Sequence, residues 1–253
     1  MTRPEEDLTR AALTGAALTG IEATTRDSFF AHIPAKQMHT LLDSYGMADW
    51  ESFASSWQRL GVDVYMADGG RYRRRRHATF ALSDNSIVRK KHQPHYQSRD
   101  YNTLNGGIER WFDPVEKRIG DHPVMRAVLS LVNRLATDLT PEPERPETWH
   151  AEVHQFRIEA GREMNGHPTP EGLHRDGVDW VLVLMVRREN VENGTTSIHD
   201  LQGNEVGSFT LTGPLDAAFV NDHMVYHGVT PIQPIDPNLP AFRDVLVVTL
   251  RHQ

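Results

Sequence analysis

The 253-residue sequence contains no cysteine. Disulfide bridges, thiolate-held zinc, Fe–S clusters and thiol nucleophiles are therefore excluded. A basic excess is missing as well: 27 Lys and Arg against 34 Asp and Glu leave a formal charge of −7, which argues against a general nucleic-acid binder. Long apolar runs are absent. The longest, Trp180 to Val186, spans seven residues, against the roughly 20 that cross a bilayer as a helix. Glu5, Glu6 and Asp7 stand where a secretory leader would carry positive charge. These absences lead to the expectation of a soluble cytoplasmic protein. What is plentiful is histidine, at 14 residues. Without thiolates, a transition metal would have to be held by imidazole and carboxylate.

Residues 1–60 read as an N-terminal helical arm packed on a core, and residues 61–253 as a jelly-roll domain, the whole forming a single domain. The arm contains AALTG twice, at 11–15 and 16–20, too short for a solenoid repeat. The clearest helix runs from Asp121 to Leu139, capped by Asp121, with Pro123 in its first turn. Val124, Val128, Leu131, Leu135 and Leu139 give it an apolar stripe. Beyond the Pro141–Pro146 break the pattern is short strands: 153–158, 180–186, 195–200, 207–211, 217–221, 224–229 and 244–250, parted by glycines and by the Pro231–Pro240 stretch. Segments 180–186 and 244–250 are apolar on both faces and need cover on both sides. The fold class expected is mainly β with backing helices, around a double-stranded β-helix (jelly-roll, cupin-like) core.

In Gly172-Leu173-His174-Arg175-Asp176-Gly177, extended backbone would put His174 and Asp176 on one face. A distal strand carries His227. Two imidazoles and a carboxylate on one side of a metal form the facial set of non-haem Fe(II) oxygenases. His223, His199 and His167 are rivals, and satisfied structural histidines are an equally weighted alternative. The His-Arg-Asp tripeptide also opens a kinase catalytic loop, but the required Asn is Val181 and no Asp-Phe-Gly follows. Arg243 opens the last strand, where its planar fork would suit a 2-oxoacid carboxylate; pairing with Asp244 is the simpler alternative. In Arg71-Tyr72-Arg73-Arg74-Arg75-Arg76, Arg73 and Arg75 share one strand face and Arg74 and Arg76 the other. Gln155 and Arg157 likewise share a face opposite His154, with inward and outward orientations both open.

Several motifs recur together in order: Tyr101-Asn102 with Gly106-Gly107, Arg110 and Phe112; His154-Gln155-x-Arg157; His174-x-Asp176; His227; and Ala241-Phe242-Arg243-Asp244 running into Val247-Val248-Thr249. With these, the chain from Asp68 onward resembles the bacterial Fe(II)/2-oxoglutarate dioxygenases of the L-isoleucine 4-hydroxylase and BsmA-like type, which hydroxylate free L-amino acids and include homologues tied to biofilm and stress phenotypes. The resemblance implies Fe(II) held by His174, Asp176 and His227, with 2-oxoglutarate as co-substrate and O2 as oxidant, and succinate and CO2 as co-products. It assigns Arg243, Gln155 and Thr249 to the co-substrate and Arg73, Arg75 and Arg157 to the substrate. No catalytic residue beyond the metal centre is implied. With Asp176 present the metal has no vacancy for halide, so hydroxylation is expected over halogenation. The segment Gly161–Leu173 is expected to form a lid. The expected partner is a small molecule, with no nucleic acid and no membrane, and a homodimer is an open assembly state. Two alternatives remain: a cupin-like metal- and 2-oxoacid-binding stress protein without turnover, and a dioxygenase acting on a peptide or carrier-bound residue.

Overall fold

The computed structural model describes residues 3–102 and 104–252, with side chains from residue 11 onward. The chain begins with helix α1 (Arg3–Ser28), strand β1 (Phe30–Ile33) and helices α2 (Ala35–Ser44) and α3 (Trp50–Ser55), the last continued by a 3-10 turn over Ser56–Arg59. Strands β2 (Gly61–Val62), β3 (Arg73–Ser83) and β4 (Ser86–Arg89) follow, then helices α4 (Lys117–Gly120) and α5 (Pro123–Leu139). The remainder is strand: β5 (Trp149–Ala160), β6 (Trp180–Glu189), β7 (Val191–Asn193), β8 (Thr195–His199), β9 (Glu205–Thr210), β10 (Ala217–Asn221), β11 (Tyr226–Val229), β12 (Ile232–Pro234) and β13 (Ala241–Arg251).

The strands form the two layers of a jelly roll. The large sheet has the order β1-β10-β6-β13-β5-β3-β2, with β4 added beside β3. A three-stranded sheet β11-β8-β9 and the pair β12-β7 make the smaller layer. Side-chain alternation then sorts the large sheet into two faces. Leu182, Leu184, Phe219, Leu246, Val248, Leu250, Ala151, Val153 and Phe80 join the main apolar core with helices α2 and α5. The opposite face of the same strands lines a cavity between the two layers. This accounts for β6 and β13 being apolar on both faces: one side meets helices, the other the cavity.

Helix α5 covers the sheet as expected, over a broader face. Val124, Val128, Leu131 and Leu135 are buried, and so are Met125, Leu129, Val132 and Ala136, because α5 packs against α2 as well as against β3, β4 and β13. Each of these buried Val, Leu and Met side chains contributes about 1.5–3 kcal/mol. The N-cap is His122 rather than Asp121: its Nδ1 accepts from Val124 N at 3.3 Å, with Pro123 at the first helical position. The N-terminal region is not helical alone. Strand β1 pairs antiparallel with β10 at an edge of the large sheet, and Trp57 is fully buried, donating through Nε1 to Phe156 O at 3.0 Å. No helix among the described residues is long and apolar enough to cross a membrane.

Candidate metal centre and its cavity

The cavity between the layers has a volume of about 180 Å³. His174, Asp176 and His227 meet on its wall. His174 and His227 lie opposite each other as a backbone bridge, with N···O distances of 3.0 and 2.9 Å. Their rings are 4.6 Å apart. Asp176 offers one oxygen to each imidazole: Oδ1 lies 3.5 Å from His174 Nε2 and Oδ2 lies 3.7 Å from His227 Nε2. Three ligand atoms on one side of a common point form the facial set that leaves a metal open toward the cavity. Local backbone makes this convergence. Gly172 (φ +81°) and Gly177 (φ +77°) take left-handed conformations on either side of the motif. At Gly177 a Cβ would also strike the Tyr101 ring at 2.5 Å.

The protons are arranged to suit a ligand. His174 Nδ1 donates to Gly172 O at 3.0 Å, which points Nε2 at Asp176. Burial lowers the affinity of the His174 ring for its proton. The hydrogen bond and charge of Asp176, with Glu171 nearby, outweigh this and push it up to about 9. Burial would raise the Asp176 carboxyl, but the His174 hydrogen bond and charge and the His227 charge hold it well below the usual range. A divalent cation would displace the His174 proton.

Behind the motif stands Asp222, 1 % exposed. Its Oδ1 accepts from Asp176 N (2.9 Å) and its Oδ2 from Gly177 N (2.7 Å) and Val178 N (3.1 Å). Oδ1 also lies 3.3 Å from His227 Nε2. One buried carboxylate therefore ties both halves of the triad together. No local pattern marks it, because its partners are backbone amides that only the fold brings near. The rivals to His227 lie elsewhere. His223 binds Asp179 on the surface at 2.8 Å, His199 Nδ1 donates to Gly203 O in a turn, and His167 packs on Tyr72.

Arg243 lines the same cavity. It is 3 % exposed, and it has no carboxylate or hydrogen-bond partner among the described residues; its buried Nε is unsatisfied. Burial, then the Arg188 charge, lowers its guanidinium to about 10. A buried, unpaired guanidinium is costly unless an anion completes it. Asp244, the simpler partner, is bound instead by Arg157, at 2.7 Å through both carboxylate oxygens. Thr249 faces the cavity six residues along the same strand.

Arg73 and Arg75 also reach the wall, as the alternation requires, while Arg74 and Arg76 turn outward to Glu159 and to the Pro114 and Arg59 carbonyls. Arg73 donates to Asp63 at 2.7 Å. Arg75 lies between the Phe112 and Phe156 rings, 3.6 and 4.4 Å from their centroids. Arg110 joins them, 2 % exposed.

Gln155 and Arg157 correct the reading of β5. They occupy its helix-facing side: Gln155 donates to Ser56 Oγ at 2.8 Å, and Arg157 reaches Gln58 as well as Asp244. They fasten the N-terminal segment and do not line the cavity. Its other face, with Glu152, His154, Phe156 and Ile158, does. Both faces of β5 carry polar residues, so only pairing and packing decide which turns inward. From the segment Gly161–Leu173, Pro168, Thr169 and Glu171 border the cavity.

Across the cavity a second group, His77, His95, Glu152 and His154, brings potential ligand atoms within 4.8 Å of one another. Its protons run the other way. The imidazoles converge on one carboxylate oxygen, Glu152 Oε2, at 3.0 Å from His77 Nε2, 2.5 Å from His95 Nδ1 and 3.6 Å from His154 Nε2. Arg75 donates to His154 Nδ1 at 2.7 Å, so the ring proton sits on Nε2, the atom a metal would need. Arg75 also places positive charge against the group. This is a hydrogen-bonded carboxylate, not a second metal centre.

Comparison with known proteins agrees with this geometry. No curated protein matches the chain. A BsmA homolog from Methylobium petroleophilum PM1 is 33 % identical, covers 93 % of each chain and superposes with a TM-score of 0.83. IDO from Bacillus thuringiensis (18 % identity, 93 % of this chain and 96 % of that one, TM-score 0.72) and the Fe(II)/α-ketoglutarate-dependent dioxygenase TqaL (18 %, 95 % and 90 %, TM-score 0.73) share the fold. The 2OG-Fe dioxygenase family model matches residues 54–249. The chain belongs to the 2OG-Fe dioxygenase family, the jelly-roll oxygenases that work with Fe(II), 2-oxoglutarate and O2.

Proposed function

We propose that the enzyme hydroxylates a free L-amino acid, with His174, Asp176 and His227 holding Fe(II) and Arg243 and Thr249 receiving the distal carboxylate of 2-oxoglutarate. The donor set fits the metal, and the unsatisfied Arg243 guanidinium fits a dicarboxylate co-substrate. Bound there, Fe(II) with 2-oxoglutarate and O2 supplies the oxidising power to hydroxylate an unactivated C–H bond, yielding succinate and CO2. The protein's residues supply the rest. Asp222 fixes the loop carrying Asp176, the apolar wall of Val181, Val183, Val245 and Val247 excludes water, and the arginine wall positions the substrate.

The observation that carries the substrate reading is a set of three buried guanidinium atoms with no acceptor: Arg73 Nη2, Arg75 Nε and Arg110 Nε. Unmet buried donors of this kind favour an anionic ligand group, and a carboxylate on a small substrate supplies it. The test is succinate formation by the Fe(II)-loaded enzyme with 2-oxoglutarate across the free L-amino acids, with mass spectrometry of each mixture. The reading expects succinate to rise with at least one amino acid, matched by a product heavier by one oxygen. Succinate formed at the same slow rate whichever amino acid is added would point to peptide or carrier-bound substrates. No succinate at all would point to a binding protein without turnover.

A further inference from the structure

The Glu152 group has a place in this chemistry. Glu152 is 8 % exposed and lines the cavity. Burial would raise its carboxyl, but hydrogen bonds from His150, His77 and His95 hold it well below the ordinary range. Ionised, it accepts hydrogen bonds from the ring N–H groups around it and so fixes their tautomers. The far nitrogens of those rings then meet different fates. His154 Nδ1 accepts from Arg75 and His150 Nδ1 from Lys90, at 2.7 and 2.9 Å. His77 Nδ1 is enclosed, its residue fully buried. His95 differs. It lines the cavity and its side chain keeps 16 % exposure. Its Nδ1 proton is committed to Glu152 at 2.5 Å, and its Nε2 has no partner among the described residues. Desolvation, with the Arg75 and Arg110 charges opposing the pull of Glu152, lowers the ring to about 4, so at neutral pH Nε2 carries a lone pair.

One cavity wall thus holds unmet donors on three arginines and an unmet acceptor on His95. An anion alone satisfies the first and leaves the second empty. A ligand with a carboxylate and an adjacent N–H group satisfies both. Negative charge from Glu152 offsets Arg75 beside the His95 ring, and Glu171 and Glu152 offset Arg110. We propose that His95, oriented by Glu152, accepts a hydrogen bond from the α-ammonium of the substrate while Arg75 and Arg110 take its carboxylate. This rests on the amino-acid reading above and deepens it: His95 is the residue that tells an amino acid from the acid lacking its amine.

The experiment is anaerobic calorimetric titration of the Fe(II)- and 2-oxoglutarate-loaded enzyme with the standard L-amino acids, then with the deaminated acid of the tightest binder. A site built around a polar group rejects the analogue lacking it. The amino acid is expected to bind at least about tenfold more tightly than its deaminated acid. In His95→Phe that preference falls to within about twofold while the deaminated acid keeps its affinity. Glu152→Gln removes the charge behind the ring and keeps its volume, and it lowers the preference severalfold. A preference unchanged in both variants overturns the His95 assignment and leaves the substrate reading standing. Wild-type enzyme that binds no amino acid overturns both.

Discussion

Two groups of histidine and carboxylate face one another across the cavity, built from the same residue types and opposite in character. In the His174–Asp176–His227 group each imidazole approaches a different oxygen of Asp176, at 3.5 and 3.7 Å, and His174 spends its Nδ1 proton on a backbone carbonyl. Its Nε2 therefore turns inward toward a shared point, where a cation displaces the remaining proton. In the Glu152 group His77 and His95 turn N–H bonds inward onto one oxygen of a carboxylate that can only accept. Arg75 and Lys90, which can only donate, occupy the Nδ1 atoms of His154 and His150. The electrostatic consequences follow. Asp176 and Glu171 raise the His174 ring to about 9 against burial, whereas burial and the arginines lower the His95 ring to about 4. What decides between a metal centre and a hydrogen-bonded carboxylate is the direction of the protons, set by neighbours outside the group.

Substitutions sharpen this contrast. The largest effect is expected from Asp176→Ala, which should lower substrate-dependent succinate formation at least about a thousandfold. Arg243→Ala should come next, raising the KM for 2-oxoglutarate by about 10–100-fold through lost charge-assisted hydrogen bonds. A steady-state titration of the co-substrate checks this, and an unchanged KM would remove Arg243 from that role. Asp222→Asn keeps shape but withdraws charge from the amides of residues 176–178. A loss of about tenfold in metal affinity is expected, the low end for groups that orient ligands, read by competition with a chelating dye.

The smallest effect is on stability, and it separates the two groups by sign. His174 has a raised value in the metal-free protein, so its contribution is complete below pH 6.5 and is lost as pH rises through about 9. His95 has a lowered value, so its neutral ring favours the fold above pH 6.5 and this is lost as pH falls through about 4. The metal-free protein should melt highest near pH 6.5, with the alkaline side falling by roughly 3–8 °C. Metal should flatten the alkaline side alone, since it displaces the His174 proton. Calorimetry at several pH values, with and without metal, reads both limbs.

Much of this was legible in the sequence where spacing along one strand sufficed. The i, i+2 spacing sets His174 beside Asp176, and strand alternation turns Arg73 and Arg75 to the cavity and Arg74 and Arg76 away from it. The two-sided apolar character of residues 180–186 announced the helix layer. Legibility ended where tertiary register decides. On β5 polar residues fill both faces, and only pairing with β3 and β13 and the docking of Ser56 and Gln58 turn Gln155 and Arg157 away from the cavity. Strand β1, four residues between helices, carries too little pattern to be seen. Asp222, and the convergence of His77, His95 and His150 on Glu152, join segments far apart in the chain, and no local signal marks them.

The most direct test of the account is metal stoichiometry. Calorimetric titration with Mn(II), a stand-in for Fe(II), should give one site per chain in the wild type, one in Glu152→Gln, and none of comparable affinity in Asp176→Ala. A site that survives Asp176→Ala and vanishes in Glu152→Gln would place the metal on the opposite wall and contradict the account.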